Sequence, residues 1–382
     1  MRSVWEIPSL PFIFRALEMP HNPPGIPDAM PFHLGIHQAS GRFAQLPTPR
    51  LDSILARAYA DGSMITGVMQ EEGIGRQYTE DFLSVVTGVV GRERLDGLSV
   101  LEIGSGTGYL LHRLQLLGAR VRGVEPGPQG ERAAERYDVR VERGFFPGVD
   151  VGDGYDLVIL YLLLEHVPDP ESVLRAVADV ARPGGTVLVA VQDEEPYIRS
   201  GEISLLFHEH YSYFSARTLE RTIRTAGATE VDVRRSAFSN LLFAIYLPDD
   251  ASDNREDVAP DIDLALAFRS RAEKVVASVW NEIDAVRDGH GTIGLFVPSR
   301  AANVLAMRKD TFEGIRFFDD NSALKGTYFP GIPIPIEDRE DLFRSPPSRV
   351  LIMSLSFGTT IADAVRPHLP KEVELRPLSV LL

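Results

Sequence analysis

The glycine-rich segment 101–108 combines residue types and spacing that suit the binding of a nucleotide-like ligand. It reads Leu-Glu-Ile-Gly-Ser-Gly-Thr-Gly, and it follows the short apolar stretch 98–100. Apolar residues then recur at helical spacing, at Leu110, Leu111, Leu114 and Leu117. In a strand-to-helix turn, glycines let a ligand approach the backbone where a Cβ would block it. The segment therefore predicts a nucleotide-binding corner, with Glu102 on the strand before the first glycine.

Three downstream segments continue this pattern of strands and helices. A strand candidate ends at Glu125, about 20 residues after Gly106, where a Rossmann-like site holds ribose hydroxyls. An apolar run at 154–160 leads into Leu-Glu-His-Val at 164–167, and a Pro-Gly-Gly turn at 183–185 precedes a further apolar strand. Each segment alone is compatible with an ordinary buried strand. In this order and spacing, the segments predict an alternating α/β domain.

The pattern E-x-G-x-G-x-G at 102–108 resembles motif I of class I S-adenosylmethionine (SAM) methyltransferases. The Leu-Glu-His-Val ending and the Pro-Gly-Gly turn resemble the fourth and fifth strands of the same superfamily. The resemblance implies a Rossmann-like methyltransferase core, SAM as the cofactor and S-adenosylhomocysteine as its product. An NAD-dependent oxidoreductase is disfavoured, because the pattern differs from the dinucleotide fingerprint.

The resemblance also implies a set of cofactor-binding residues. Around the methionine part of SAM we expect Glu102, Gly104, Ser105, Gly106 and Gly108, with Glu125 on the ribose. Phe145 and Phe146 would flank the adenine, although a plain core role explains them equally well. Tyr59 and Ser63 would cover the cofactor from a lead-in loop. His166 falls at the mouth of the site, where a structural or cofactor-edge role is favoured over proton transfer.

Composition narrows the class of protein. The chain has 382 residues, a net charge of −15 and no cysteine. The negative charge argues against nucleic acid as the main partner, and the absence of cysteine excludes disulfides and cysteine-ligated metals. No apolar run approaches the roughly 18 residues of a membrane-spanning helix, and the first residues lack the apolar stretch of a signal peptide. We therefore expect a cytoplasmic enzyme with no membrane partner.

The pattern along the chain predicts three parts. Residues 1–60 are rich in proline, and we expect an irregular N-terminal region there. Residues 61–248 carry the cofactor-binding core. Residues 249–382 begin with a polar, acidic linker and a long helical pattern, after which strands and helices alternate again. This last part is predicted to be a second, smaller, Rossmann-like α/β domain that binds substrate.

Two further segments resemble the sugar C-methyltransferase family, which acts on nucleotide-linked 4-keto-deoxysugars. One is Phe-His-Glu-His-Tyr-Ser-Tyr-Phe-Ser at 207–215, and the other is the Asp-Asp-Asn to Ile-Pro-Ile stretch at 319–336. The resemblance implies C-methylation in secondary metabolism, with a small-molecule acceptor such as a nucleotide sugar. Acceptor identity, regiochemistry and oligomeric state stay open.

By this resemblance, His210 is the candidate general base, because carbon becomes a nucleophile only after losing a proton beside a carbonyl. Glu209 would hold the imidazole or contact the substrate, and His208 is a further catalytic candidate. The expected substrate-binding residues are Phe207, Tyr211, Tyr213, Asn240, Asn321 and Tyr328. The alternative for the histidines is helix capping or core packing, and for Asn321 it is an ordinary turn.

Several positions depart from the family pattern. The family usually carries a zinc-binding domain with two Cys-x-x-Cys pairs, but His37 and Ser40 stand where the second pair would be. We therefore expect a degenerate remnant and no metal. Phe207 replaces a tyrosine, Ser239 and Asn240 fall where a His-Gly-Gly element is usual, and Leu355-Ser356 replaces Trp-Asn. These departures keep open an O- or N-methyltransferase with a non-nucleotide acceptor, and a SAM-binding module without catalysis.

Overall fold

The computed structural model describes residues 1–13, 15–61, 69, 71–91, 95–248, 262–308, 311–355 and 357–381. The chain folds into two compact units, each built from segments that are separate in sequence. The first unit comprises Met1–Ser3, Gly35–Glu194 and Glu209–Asp261, and the second comprises Val4–Leu34, Glu195–His208 and Ile262–Leu382. The three consecutive domains expected from the sequence stay a prediction, and the acidic linker predicted from residue 249 lies outside the described residues.

The strands are, in chain order, β1 (Arg2–Pro11), β2 (Ala29–Ile36), β3 (Phe43–Gln45), β4 (Ser99–Ile103), β5 (Arg120–Glu125), β6 (Arg140–Arg143), β7 (Tyr155–Tyr161), β8 (Ala181–Gln192), β9 (Ser212–Tyr213), β10 (Val231–Arg235), β11 (Leu241–Tyr246), β12 (Ile293–Phe296), β13 (Ile315–Asp319), β14 (Ile336–Asp338), β15 (Arg349–Ile352) and β16 (Glu374–Pro377). The helices are α1 (Pro49–Asp61), α2 (Gly73–Val90), α3 (Tyr109–Leu116), α4 (Gln129–Tyr137), α5 (Pro170–Val180), α6 (Glu195–Ser200), α7 (Ala216–Thr225), α8 (Ile262–Asp288), α9 (Pro298–Ala306), α10 (Arg339–Arg344) and α11 (Gly358–Val365).

A seven-stranded sheet in the order β10-β11-β8-β7-β4-β5-β6 forms the centre of the first unit. β11 pairs antiparallel with β10 and β8, and the other strand pairs of this sheet are parallel. The strands carry runs of Val, Leu and Ile that are buried on both faces, as a parallel sheet covered by helices requires. The predicted Rossmann-like α/β core is thus confirmed. The strand order reverses between β4 and β7, and open α/β sheets bind their ligands at such a point.

The second unit contains a five-stranded parallel sheet in the order β14-β13-β12-β15-β16. The long helix α8 buries one stripe of its surface, including Phe268, Val279 and Trp280. The indole nitrogen of Trp280 donates to the carbonyl of Val304 at 3.1 Å, which ties α8 to α9. A smaller α/β assembly with a preceding long helix agrees with the sequence prediction for this region.

The N-terminal region is more regular than expected. The prediction of an irregular segment is wrong for β1 and β2, which are strands of ten and eight residues. Their buried residues alternate, at Trp5 and Ile7 in β1 and at Met30, Phe32 and Leu34 in β2. The prolines exclude a helix, but exposed Pro8 and Pro31 do not prevent an extended strand.

Among the described helices, none has the length and apolar character that crossing a lipid bilayer requires.

A buried ion pair fastens the segment before β3 to the helices of the first unit. The Arg42 guanidinium donates to both carboxylate oxygens of Glu171 on α5, with Nη2 to Oε2 at 3.0 Å. Its Nε also donates to Ser212 Oγ on β9 at 3.0 Å. Both members of the ion pair are almost fully buried. Removing one member would leave a buried charge without its counterion.

We therefore predict that Arg42→Met lowers the free energy of unfolding by about 3 kcal/mol, because Glu171 loses its counterion. The matched control is Arg143→Met, which removes an exposed ion pair with Glu131 and should cost less than about 1 kcal/mol. Urea unfolding of the full chain measures both values. Equal losses in the two variants would show that the buried pair has no special role.

Candidate functional site

A cavity opens at the carboxyl ends of β4, β5 and β7 in the first unit. It encloses about 1020 Å³ of empty space, part of which is open to solvent. Its wall is largely apolar, with a few acidic and polar groups. The wall residues are Tyr59, Met69, Glu102, Ile103, Gly104, Ser105, Gly106, Thr107, Leu110, Val124, Glu125, Pro126, Gly144, Phe145, Phe146, Tyr161, Leu162, Leu163, His166, Val167 and Val173. This is the position at which open α/β sheets bind ligands.

The glycine-rich turn after β4 is held by the end of β5. The backbone N–H groups of Gly104 and Ser105 both donate to the carbonyl of Val124, at 2.8 and 3.0 Å. Gly104, Gly106 and Gly108 all have positive φ, which other residues rarely adopt. A Cβ on Gly108 would lie 2.5 Å from the Cβ of Ala133. The turn therefore needs glycine both for its dihedral angles and for the close approach of α4.

Glu125 connects two loops of the cavity through its carboxylate. Its Oε2 accepts from the N–H of Gly106 at 2.9 Å, and its Oε1 accepts from the N–H of Gly127 and from Gln129 Nε2, both at 2.8 Å. Burial raises the pKa of Glu125, and these three hydrogen bonds oppose that rise because they stabilise the charged form. The carboxylate thus fixes the glycine-rich turn and the loop after β5 in one arrangement.

Glu102 supplies a second buried carboxyl on the cavity wall. Its pKa is raised well above its usual range, first by burial and then by the nearby charge of Glu125. Among the described residues, Glu102 Oε2 and Ser105 Oγ are buried without a hydrogen-bond partner. A Cβ on Gly104 would approach Leu163 Cδ1 to 3.1 Å. Two acids and an unsatisfied hydroxyl in an apolar cavity fit a ligand with cationic and hydroxyl groups, as SAM has.

The remaining predicted cofactor residues lie on the outer wall. Phe145 and Phe146 follow β6 and both line the cavity, with Phe145 about half exposed. Tyr59 comes from α1, and its hydroxyl lies 3.0 Å from His166 Nδ1. Ser63 lies outside the described residues. Every predicted cofactor residue that the structure describes therefore lines the cavity, apart from Gly108. Gly108 is the residue before α3 and does not line the cavity.

The segment 209–214, which carries His210, is fixed by its backbone. The carbonyl of Glu209 lies 3.0 Å from His166 Nδ1, and the carbonyl of His210 accepts from Gln45 Nε2 at 3.2 Å. The backbone of Tyr211 donates to the Glu165 carbonyl at 2.6 Å and accepts from Gln45 N at 3.0 Å. Tyr213 then pairs with Phe43 where β9 meets β3. Neighbouring elements thus leave this backbone little freedom.

The side chains of this segment lie close to the cavity wall. The His210 ring meets the His166 ring edge-to-face, with centroids 4.8 Å apart, and lies 5.9 Å from the Tyr213 ring. Glu209 is fully buried, and the Tyr211 hydroxyl donates to Asp52. His166 itself is on the cavity wall. His210 is therefore one ring removed from the cavity.

His208 has a different environment from His210. Its ring stacks on Phe12 with centroids 5.4 Å apart, and its Nε2 lies 3.2 Å from the Leu10 carbonyl, all within the second unit. Burial lowers the pKa of His208 to about 4. These are the surroundings of a core histidine, and they favour the core-packing alternative for this residue.

The predicted substrate residues divide between the units. Tyr211, Tyr213 and Asn240 belong to the first unit, and Phe207, Asn321 and Tyr328 belong to the second. Asn321 sits in a turn, where its side chain accepts from Ala323 N, as the turn alternative expects. Tyr328 exchanges backbone hydrogen bonds with Leu17, and the Asn240 carbonyl accepts from Asp193 N.

In the segment that resembles a zinc-domain remnant, the side chains of His37, Ser40 and Arg42 hydrogen-bond to one another. His37 Nδ1 lies 3.0 Å from Ser40 Oγ, and Arg42 Nη1 donates to the same hydroxyl at 2.9 Å. Burial and the Arg42 charge lower the pKa of His37. Within the described ranges, no group of three or more His, Asp or Glu side chains is arranged to hold a metal ion.

Some residues of the cavity wall were not among the cofactor residues predicted from the sequence. Met69 lies on the wall, and its carbonyl accepts from Thr107 Oγ1 at 2.9 Å. Tyr161 and Leu163 flank the end of β7, a position that the strand prediction could have supplied. Met69 could not have been found, because its place depends on a contact with a residue 38 positions away.

Comparisons with known proteins agree with this geometry. Residues 75–233 match a family model described as a methyltransferase domain. The chain is 28% identical over 295 residues to C-methyltransferase NovU of Streptomyces niveus, covering 70% of this chain and 69% of the relative. It is 29% identical over 215 residues to a ubiquinone biosynthesis O-methyltransferase of Cupriavidus pinatubonensis, covering 50% and 79%.

The protein is a SAM-dependent methyltransferase. Among solved structures, magnesium protoporphyrin IX methyltransferase (ChlM) from Synechocystis PCC 6803 with bound SAM aligns with a TM-score of 0.40 and 15% identity, covering 52% of this chain and 97% of that chain. The DhpI-SAM-HEP complex aligns with a TM-score of 0.40 and 21% identity, covering 52% and 96%.

Glu165 is a buried acid whose backbone carbonyl accepts from Tyr211 N in the segment 209–214. Its Oε1 accepts from Gln192 N at 2.8 Å, while burial raises its pKa to about 7. In the unfolded chain the pKa of a glutamate is about 4.3. The folded chain therefore binds this proton more tightly than the unfolded chain does. The protonated Glu165 side chain therefore adds to the free energy of unfolding. This contribution is complete below about pH 4 and is lost as the pH rises through 7.

We predict that Glu165→Gln removes this loss, because the amide does not ionise. The free energy of unfolding of the native protein, relative to Glu165→Gln, should fall by about 2 to 3 kcal/mol between pH 5 and pH 8. Urea unfolding at the two pH values measures the difference, and Glu340→Gln on the surface of α10 serves as the control. A constant difference between the native protein and Glu165→Gln would contradict the assignment.

Proposed function

We propose that the protein methylates a carbon atom beside the carbonyl of a nucleotide-linked keto-deoxysugar or a related small metabolite, with His210 as the general base. The observation that carries the proposal is the position of His210. Its ring lies edge-to-face with the ring of His166, a wall residue of the donor cavity, and the ring centroids are 4.8 Å apart. The relative NovU is named a C-methyltransferase, which supports the same reaction.

The reaction needs a donor and an activated carbon. Bound SAM would supply an electrophilic methyl group, held by Glu102, Glu125 and the glycine-rich turn. The residues of the chain must then remove a proton from the acceptor carbon. They must also hold that carbon in line with the methyl group of SAM. A neutral imidazole can accept this proton and pass it to water. His210 suits the step because its backbone is clamped by Gln45 and its ring is buried next to the cavity.

The other candidates have supporting roles in this proposal. Glu209 precedes His210 and would stabilise the imidazolium that forms, and Tyr211 and Tyr213 would shape the acceptor side. Phe207, Asn240, Asn321 and Tyr328 are proposed substrate contacts. His208 is the weakest of the predicted catalytic residues, because it packs between Phe12 and Phe32.

The test measures methyl transfer from SAM to a panel of nucleoside diphosphate-linked 4-keto-6-deoxysugars by mass spectrometry. We expect one panel member to gain a methyl group on carbon, and His210→Asn to lower kcat by about 100-fold or more. The affinity for S-adenosylhomocysteine should change less than about twofold, since His210 is not on the cavity wall. His21→Asn, an exposed histidine, is the control.

Two results would contradict the proposal. Transfer to oxygen or nitrogen of a non-nucleotide acceptor would show an O- or N-methyltransferase, as the relative from Cupriavidus pinatubonensis is by name. Unchanged kcat in His210→Asn would show that another group removes the proton.

A further inference from the structure

Tyr161, the last residue of β7, carries a buried hydroxyl group on the wall of the donor cavity. The residue is 7% exposed, and its Oη has no hydrogen-bond partner among the described residues. Its ring packs edge-to-face against Phe82 of α2, with the centroids 4.9 Å apart. Burying a hydroxyl without a partner costs free energy, and native proteins rarely do so without a reason. A ligand of the cavity would supply the missing partner.

Tyr161 projects from the same face of the sheet as Glu102. Between β4 and β7, Glu102 pairs with Ile159, and Tyr161 follows Ile159 by two residues. Successive side chains of a strand alternate between the two faces, so these three side chains share one face. Glu102 Oε2 is also buried without a hydrogen-bond partner in the described part of the chain. An acid and a hydroxyl that both need a partner therefore lie on adjacent strands, on one face of the sheet.

The other hydroxyl groups on the described wall are placed differently. Thr107 Oγ1 donates to a backbone carbonyl at 2.9 Å, and the Tyr59 hydroxyl lies 3.0 Å from an imidazole nitrogen. Ser105 Oγ lies against β5, because a Cβ on Gly123 would come within 2.6 Å of it. None of the wall residues that the structure describes is lysine or arginine. The side-chain donor next to the buried acid of β4 is therefore the hydroxyl of Tyr161.

The charges around Tyr161 narrow the kind of group that it can bind. Burial raises the pKa of Tyr161, and Tyr78 and the acids Asp81, Glu165 and Glu102 raise it further, so the hydroxyl keeps its proton and can donate. These acids would repel an isolated anion. An anion with a cation attached beside it avoids this penalty, because the same acids attract the cation. The methionine end of SAM has this chemistry, since one carbon carries both an ammonium and a carboxylate.

We propose that the Tyr161 hydroxyl donates to the carboxylate at the methionine end of the methyl donor, while Glu102 binds the ammonium. The inference goes beyond the proposed function, because it concerns the donor and holds for any acceptor. A hydrogen bond to a charged group contributes more than one between neutral groups. The hydroxyl lacks a partner in the free protein and gains one in the complex. Its removal should therefore affect the free protein and the complex in opposite directions.

The test uses Tyr161→Phe, which keeps the ring against Phe82 and removes only the hydroxyl. Without ligand, the Tm of the full chain should stay the same or rise, because a buried polar atom without a partner is gone. The affinity for S-adenosylhomocysteine should fall by about tenfold or more, because its carboxylate loses a donor. Thermal unfolding and isothermal titration calorimetry measure the two effects. A lower Tm of the free variant would overturn the inference, since the hydroxyl would then have a partner within the protein.

A second ligand tests which group the hydroxyl contacts. The decarboxylated analogue of S-adenosylhomocysteine, 5′-(3-aminopropyl)thioadenosine, keeps the adenosine and the ammonium but lacks the carboxylate. Tyr161→Phe should change the affinity for this analogue by less than about twofold, because the group that the hydroxyl binds is already absent. Equal weakening of both ligands would overturn the inference, since the hydroxyl would then contact another part of the donor. Unchanged affinity for both would show that the hydroxyl does not bind the donor.

The matched control is Tyr246→Phe. Tyr246 is also buried, and its Oη also lacks a hydrogen-bond partner among the described residues, but it does not line the cavity. This substitution removes the same atom from a tyrosine on β11. We expect it to leave the affinities for S-adenosylhomocysteine and for the decarboxylated analogue unchanged. A loss of S-adenosylhomocysteine affinity as large as that of Tyr161→Phe would overturn the inference, because the loss would not depend on the cavity wall.

Discussion

The carbonyl of Val124 and the carboxylate of Glu125 together hold the glycine-rich turn, and the donor site depends on this interaction. The backbone N–H groups of Gly104 and Ser105 donate to the carbonyl of Val124, and the N–H of Gly106 donates to the carboxylate of Glu125. The end of β5 thereby fixes the direction in which α3 leaves the sheet. Gly104, Gly106 and Gly108 have positive φ as a result, which residues other than glycine rarely adopt. The same arrangement buries two acids beside an apolar cavity, which favours a cationic ligand.

The segment 209–211 has no regular structure, and it is held by the same kind of constraint. Gln45, Glu165 and His166 all hydrogen-bond to the backbone of 209–211, and these contacts fix where Glu209 and His210 lie.

The sequence predicted the parts that depend on local pattern. The spacing of Glu102, the glycines and Glu125 follows from one strand-turn-helix unit and its neighbouring strand, and the structure places these residues around one cavity. Contacts between distant residues were not predictable. Gln45 reaches His210 across 165 positions, and no periodicity records that contact. The proline-rich start was misjudged because proline excludes helix and not strand, and His208 differs from His210 only through its tertiary surroundings.

The most direct measurement of the central claim is isothermal titration calorimetry of the full chain with S-adenosylhomocysteine and, separately, with NAD⁺. The cavity has two acids, an apolar wall and a Ser105 hydroxyl without a hydrogen-bond partner in the described part of the chain. This geometry predicts saturable binding of S-adenosylhomocysteine and no binding of NAD⁺. Absence of binding by S-adenosylhomocysteine, or saturable binding of NAD⁺ at the same site, would contradict the assignment of the cavity as the methyl-donor site.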